Sequence, residues 1–210
     1  EEEGASPDDA RTYAAATFQH VGRARLMVHN DGVRTRRAMA VQLAELVFHG
    51  SQAFQAVGAL LKAAENEAVD AHKAEDEAER AKLENALGVG AKGKGAAKAL
   101  RSVSASVKQL EDEQKRRSTR RRRDMLDLVL VDLASVYRDA LVVQTGAGLP
   151  LVNPDFEGLA REIAGRVPAA GLVECLEAIS QCRERLGQSV TPAVAFNGML
   201  GRIRLACNAS

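Results

Sequence analysis

Residues 88–95 read GVGAKGKG, that is Gly88, four residues, then Gly93-Lys94-Gly95. The phosphate-cradling pattern G-x-x-x-x-G-K-[ST] uses backbone N–H groups to surround phosphates, Lys to reach the outer ones, and a hydroxyl to hold Mg²⁺. Gly95 stands where that hydroxyl is needed. The preceding AERAKLENAL has the composition of a solvated helix, not of the buried strand that delivers such a loop. ATP binding through Lys94 is therefore not expected. The stretch is read as a bend between two helices.

The second group with chemical potential is Lys115-Arg116-Arg117-Ser118-Thr119-Arg120-Arg121-Arg122-Arg123, seven basic residues in nine. Guanidinium and ammonium groups in this density suit the phosphate backbone of a nucleic acid, where such contacts dominate affinity. The run is equally the basic side of a solvated helix facing acids elsewhere in the chain, and this is the preferred reading. No aromatic residue is interleaved, so stacking on single-stranded bases is not supported.

The remaining reactive side chains do not converge. His20, His29, His49 and His72 are scattered, and none adjoins a Cys or Ser nucleophile. Cys175, Cys182 and Cys207 are odd in number and lack C-x-x-C spacing. Cys175 and Cys182 are seven apart on an apolar helical face, so buried free thiols in a reducing cytoplasm are expected. No catalytic residue, metal site or cofactor is predicted, nor a small-molecule substrate.

These side chains are carried by helices. In 210 residues, apolar types make up 46%, charged types 27% and aromatics only 3%, with no Trp. Ala, Leu, Arg and Glu dominate, and β-branched or aromatic runs are scarce, which predicts an all-α fold. No apolar run approaches the roughly 20 residues of a membrane span, so no membrane association is expected. The chain opens on EEEG without Met and is read as a piece of something longer.

Ser6-Pro7-Asp8-Asp9 predicts a helix start, with a short helix to about Thr17. A second short helix is expected from Gly22 to Asn30-Asp31-Gly32. A long helix should begin at Val33, with Gly50 as a possible kink. Residues 62–87 carry a local charge of −4, and residues 96–123 one of +7. An acidic arm, a glycine bend and a basic arm predict an antiparallel helical hairpin over about 62–123. Folding it about residue 91 would place Glu84 near Lys98, and Glu65 and Glu67 near Lys115 to Arg117. The second helix should run on through Leu126, Val129, Leu130, Leu133 and Val136 to about Gln144. After a loop over 145–154, helices are predicted at about 155–166 with Asp155 as cap, from Pro168 to about Leu186, and from Thr191-Pro192 to about Ala206.

The order RRDMLDLVLVDLASVYRDALVVQTG, LVNPDFEGLAREIAGRV, ECLEAISQCRERLGQSVTPAVAFNGMLGRI resembles the C-terminal domain of bacterial DNA polymerase III delta-prime subunits, and clamp-loader subunits generally. The matching elements are Tyr137-Arg138-Asp139, Leu159-Ala160 and Ile179 to Leu186. Upstream, ATFQHVGRARLMV resembles the end of an AAA+ lid, where Arg23 matches an arginine often facing nucleotide. The charged hairpin resembles an insertion of actinobacterial members. The resemblance covers about residues 10–207, while the family's AAA+ domain, with its zinc module and arginine finger, is not among these residues.

The resemblance implies a collar-like helical bundle with a charged hairpin, divided as 1–32 (lid-like remnant) and 33–210 (collar domain). It implies a non-catalytic scaffold that holds clamp-loader subunits in a ring in the cytoplasm during DNA replication. Other clamp-loader subunits are the implied partners, with DNA reached through the complex. Leu172, Leu176, Ile179, Val194, Met199, Leu200 and Ile203 are the candidate interface residues, many of them shared with the domain's own core. A free-standing helical protein binding nucleic acid through residues 115–123 is the alternative.

Overall fold

A computed structural model describes residues 4–70, 72–87, 96–188 and 190–209, with side chains described from residue 104 onward in the third segment. The glycine bend at 88–95 and Lys98 lie outside the described residues. Every regular element among those described is helical. The helices are α1 (Pro7–Ala16), α2 (Val21–His29), α3 (Asp31–Leu46), α4 (Ser51–Asp70), α5 (Lys73–Ala86), α6 (Ala96–Thr145), α7 (Glu157–Arg166), α8 (Ala169–Gly187) and α9 (Pro192–Ala206). A 3₁₀ turn, Pro154–Phe156, precedes α7.

Local chemistry sets most boundaries. The Ser6 hydroxyl accepts from the Asp9 N–H and Pro7 opens α1, as predicted. Asn30 was expected to end α2. It does so while also capping α3, its side chain accepting from the Val33 N–H, so α3 starts at Asp31 rather than Val33. The long helix expected from Val33 is interrupted twice. The first break, between Val47 and Gly50, has Gly50 at φ +52°, where a Cβ would strain the backbone. The second separates α4, which ends at Asp70, from α5, which begins at Lys73. Asp155 is not a cap: the cap of α7 is Phe156, which makes no side-chain cap bond. Thr191 likewise makes no side-chain cap bond to α9.

The chain divides into two compact units, residues 1–63 with 126–210, and residues 64–125. Residues 1–32 thus share a unit with the C-terminal helices. In this first unit Leu126, Val129, Leu130, Leu133, Val136, Tyr137 and Ala140 form one face of α6, all buried. Their three-and-four spacing is that of a helix burying a single stripe. Leu43, Val57, Leu60, Ile163, Leu172, Ile179, Phe196, Met199 and Leu200 complete the core. α8 and α9 approach so closely that a Cβ on Gly171 would sit 2.5 Å from the Ala206 carbonyl oxygen. Cys175, Cys182 and Cys207 are free and buried. Hydrogen bonding to Cys207 and then burial push the Cys175 thiol up, and burial pushes Cys182 up to about 12.

The second unit comprises the end of α4, α5 and the first part of α6. α5 buries no residue, while Ala64 and Ala68 of α4 are buried.

Candidate functional site

Asp132, Ser135 and Asp139 interrupt the apolar α6 sequence at i, i+3 and i+7, which places them on one face. All are buried. The Asp139 carboxylate accepts from the Val152 N–H at 3.0 Å, the Asn153 N–H at 2.7 Å, Asn153 Nδ2 at 3.0 Å and Arg138 Nη1 at 2.8 Å. Arg138 Nη1 also donates to the Pro150 carbonyl. Asn153 Nδ2 donates to Ser135 Oγ at 2.8 Å, and that hydroxyl donates to the Asp132 carbonyl. On the other side, Arg37 of α3 donates to Asn153 Oδ1 at 2.8 Å and to both Asp155 oxygens at 2.7 and 2.9 Å. Its guanidinium lies 5.2 Å from the Phe156 ring centre, a cation–π arrangement. The Tyr-Arg-Asp segment therefore fastens the loop after α6 to α6 itself, and Arg37 fastens that loop to α3. Its chemistry is positional. Buried backbone donors that water cannot reach are satisfied by one carboxylate.

Beside this lock, Arg23, Arg36, Arg37, Leu128 and Asp132 line a cavity of about 50 Å³. Burial pushes the Asp132 carboxyl up to about 6, against the pull of the Arg23, Arg37 and Arg36 charges. Small-molecule pockets are typically about 300–1,000 Å³, so this space suits water rather than a nucleotide. Arg23, matched to a nucleotide-facing lid residue by sequence, here faces a buried carboxylate of its own chain.

The basic run is sorted by helix geometry. Arg117 pairs with Asp76 at 3.1 Å and with Glu79. Its hydrogen bond, with that of Gln114, holds the Glu79 carboxyl below the usual range. Arg121 is 3.9 Å from Asp76, and Arg122 is 3.3 Å from Glu65. Arg80 bridges Glu84 at 2.9 Å and Glu111 at 3.0 Å. The predicted register is thus corrected: Glu65 meets Arg122, and Arg117 meets α5 rather than α4. The acidic arm is two helices, α4 and α5, and α5, not the end of α4, supplies the partners of Arg117. Lys115 lines a groove of about 290 Å³ with Asp76, Glu77 and Arg80. Arg116, Arg120 and Arg123 are exposed and form no ion pair among the described residues.

The candidate interface residues divide by burial. Leu172, Ile179, Met199, Leu200 and Ile203 are buried in this chain's own core, so they are not available to a partner. Leu176 is half-buried. Val194 is 65% exposed, and Leu205, which sequence reasoning missed, is 79% exposed. Residues 194, 198, 201 and 205 fall on one face of α9, so Val194, Gly198, Gly201 and Leu205 make an apolar, low-relief stripe. A Cβ at Gly201 would meet nothing within 4 Å, and one at Gly198 only the Arg185 guanidinium at 3.7 Å. The spacing of Val194 and Leu205 was visible in the sequence. What was not visible was which α9 face the core takes.

Arg37, Asn153 and Asp155 were also missed as a group. Their signal was the set of three polar residues, 132, 135 and 139, inside an apolar helix. Such residues need partners when buried. Among the described residues no group of three or more His, Cys, Asp or Glu gathers to hold a metal, and no helix is long and apolar enough to cross a membrane.

Residues 122–200 match the family model described as DNA polymerase III, delta subunit, C terminal. This likeness to the DNA polymerase III delta subunit covers somewhat more than a third of the chain. The matched stretch contains the α6 core face, Asp139, Asn153 and the α8–α9 pair. No curated protein and no solved structure matches the chain.

Proposed function

We propose that this chain is the C-terminal collar-type region of a clamp-loader subunit of delta-prime kind, a non-catalytic scaffold that holds sister subunits together. The observation that carries this reading is the α9 stripe Val194, Gly198, Gly201 and Leu205. Interior helical glycines each cost roughly 1 kcal/mol relative to Ala. Two of them on an exposed face, flanked by exposed Val and Leu, weaken the free domain. They are advantageous where a second helix must approach closely and bury the flanking side chains. Apolar burial, at about 25 cal/mol per Å², then supplies the association energy beyond its entropic cost. The partner is a clamp-loader subunit, and the Asp139 lock keeps the scaffold rigid enough to present the stripe.

Co-elution with the other clamp-loader subunits on size exclusion tests the reading. The chain should co-elute, and Gly201→Leu should fold with an unchanged or higher Tm but fail to co-elute. No association of the unaltered chain with any of those subunits would overturn the collar reading. Association that Gly201→Leu leaves intact would remove α9 as the contact.

A further inference from the structure

We propose that Arg116, Arg120 and Arg123 of α6 form a contact site for the phosphate backbone of duplex DNA. The sequence offers seven basic residues between 115 and 123; the structure pairs three of them with acids and sets a fourth, Lys115, exposed and unpaired among the described residues, beside the acidic groove. Arg117, Arg121 and Arg122 turn toward Asp76, Glu79 and Glu65, and Lys115 lines the groove beside Asp76 and Glu77. The three that remain are spaced i, i+4 and i+7. At 100° per residue they lie on one narrow stripe, opposite the acid-facing side. At about 1.5 Å rise per residue the stripe runs roughly 10 Å along the helix. One strand of a duplex presents a phosphate about every 3.4 Å of axis, so this length spans about three phosphates.

Like charges at i, i+4 repel along a helix, and Asp112 and Asp124, four residues from Arg116 and Arg120, temper this without forming an ion pair with them. Asp112, Glu113 and Asp124 flank the stripe without pairing to these three arginines, which bounds the site at its ends. All three positions are Arg rather than Lys. A planar guanidinium meets phosphate in bidentate fashion, where an ammonium acts only as a point charge. Residues 64–125 contain no Phe, Tyr or Trp, so this unit has no platform on which single-stranded bases could stack. That favours a backbone contact with a duplex, without sequence preference. The inference does not depend on the α9 interface.

Fluorescence anisotropy of a labelled random-sequence duplex, titrated with the full chain at several salt concentrations, tests it. Each phosphate neutralised contributes about 0.9 to the slope of log K against log salt. Arg116→Ala/Arg120→Ala/Arg123→Ala should make that slope shallower by about 3, while the corresponding triple Lys variant keeps most of it. A control removes the same charge from the other unit, Arg11→Ala/Arg161→Ala/Arg166→Ala, and should leave the slope within about 1 of the unaltered chain. No duplex binding, no change in the triple Ala variant, or an equal loss in the control would overturn the proposal. Polyglutamate displacing the duplex at equal charge concentration would also overturn it, by showing that the stripe takes an acidic protein segment.

Discussion

Asp139→Ala is the sharpest test of the polar lock. The carboxylate is fully buried and accepts from two backbone N–H groups, one amide side chain and one guanidinium. Arg138 keeps the Pro150 carbonyl, and Asn153 Nδ2 keeps Ser135 Oγ. The Val152 and Asn153 N–H groups keep nothing in this geometry. An unsatisfied buried donor costs about 1–3 kcal/mol, so two cost about 2–6 before relaxation. Water entering the loop lowers that sum, and a loss of about 3–5 kcal/mol is expected, which is the range for breaking a buried charged pair. Against a domain stability of about 5–15 kcal/mol this is severe. Asp139→Asn should cost less, about 1–3 kcal/mol, because its carbonyl still serves one side while its amide confronts donors on the other. Urea unfolding followed by tyrosine fluorescence is the suitable assay, since both tyrosines, Tyr13 and Tyr137, belong to residues 1–63 and 126–210. Hydrogen exchange at Val152 and Asn153 supplies a local readout. If Asp139→Ala lost under about 1 kcal/mol and both amides stayed protected, the reasoning would be wrong.

Three further substitutions test the same unit. Asp132 holds its proton in the folded state up to about pH 6, whereas an ordinary aspartate releases it near 3.8. Its contribution to stability is therefore complete below about pH 4 and is lost as pH rises through about 6, amounting to about 3 kcal/mol at about 1.4 kcal/mol per pH unit. Asp132→Asn should remove that slope and raise stability at pH 7 by about 1–3 kcal/mol; a variant with the parent's pH profile between 4 and 6 would contradict this. Gly171→Ala drives a methyl group into the Ala206 carbonyl and should cost about 1–3 kcal/mol. Gly58→Ala, where a Cβ meets open space on α4, should instead gain about 0.5–1 kcal/mol. Thermal melts giving both substitutions the same sign would refute the packing argument.

Much of the fold was legible because helix signals are local. Ser6-Pro7, Asn30, Gly50 and Pro192 each act within a few residues of themselves, and the α6 stripe from Leu126 to Ala140 follows from period alone. Asp155 defeated the local reading because its position before α7 suits a cap, yet a distant guanidinium, that of Arg37, claims both its oxygens. Nothing in the spacing of residues 37 and 155 announces that pairing. The interface candidates were divided by burial for a related reason. Periodicity marks which α8 and α9 residues are apolar, but only the packed neighbours decide that Leu172 and Met199 are enclosed while Val194 and Leu205 are not.

The charged arms show how pattern and geometry divide the work. Sign alternation along the sequence was enough to foresee a hairpin, because opposite charges favour antiparallel neighbours whatever their register. It could not fix the register, since many Glu–Arg pairings are nearly equivalent in energy. It also could not say which cations would be left over. A helix turns about 100° per residue, so seven basic residues in nine cannot all face one acidic partner. Some must point away, and the basic arm carries more charge than the acidic arm can neutralise. Geometry then selects Arg116, Arg120 and Arg123 as the outward set. A charge surplus that folding alone does not require, concentrated on one line, is a physical reason to look for an external polyanion there.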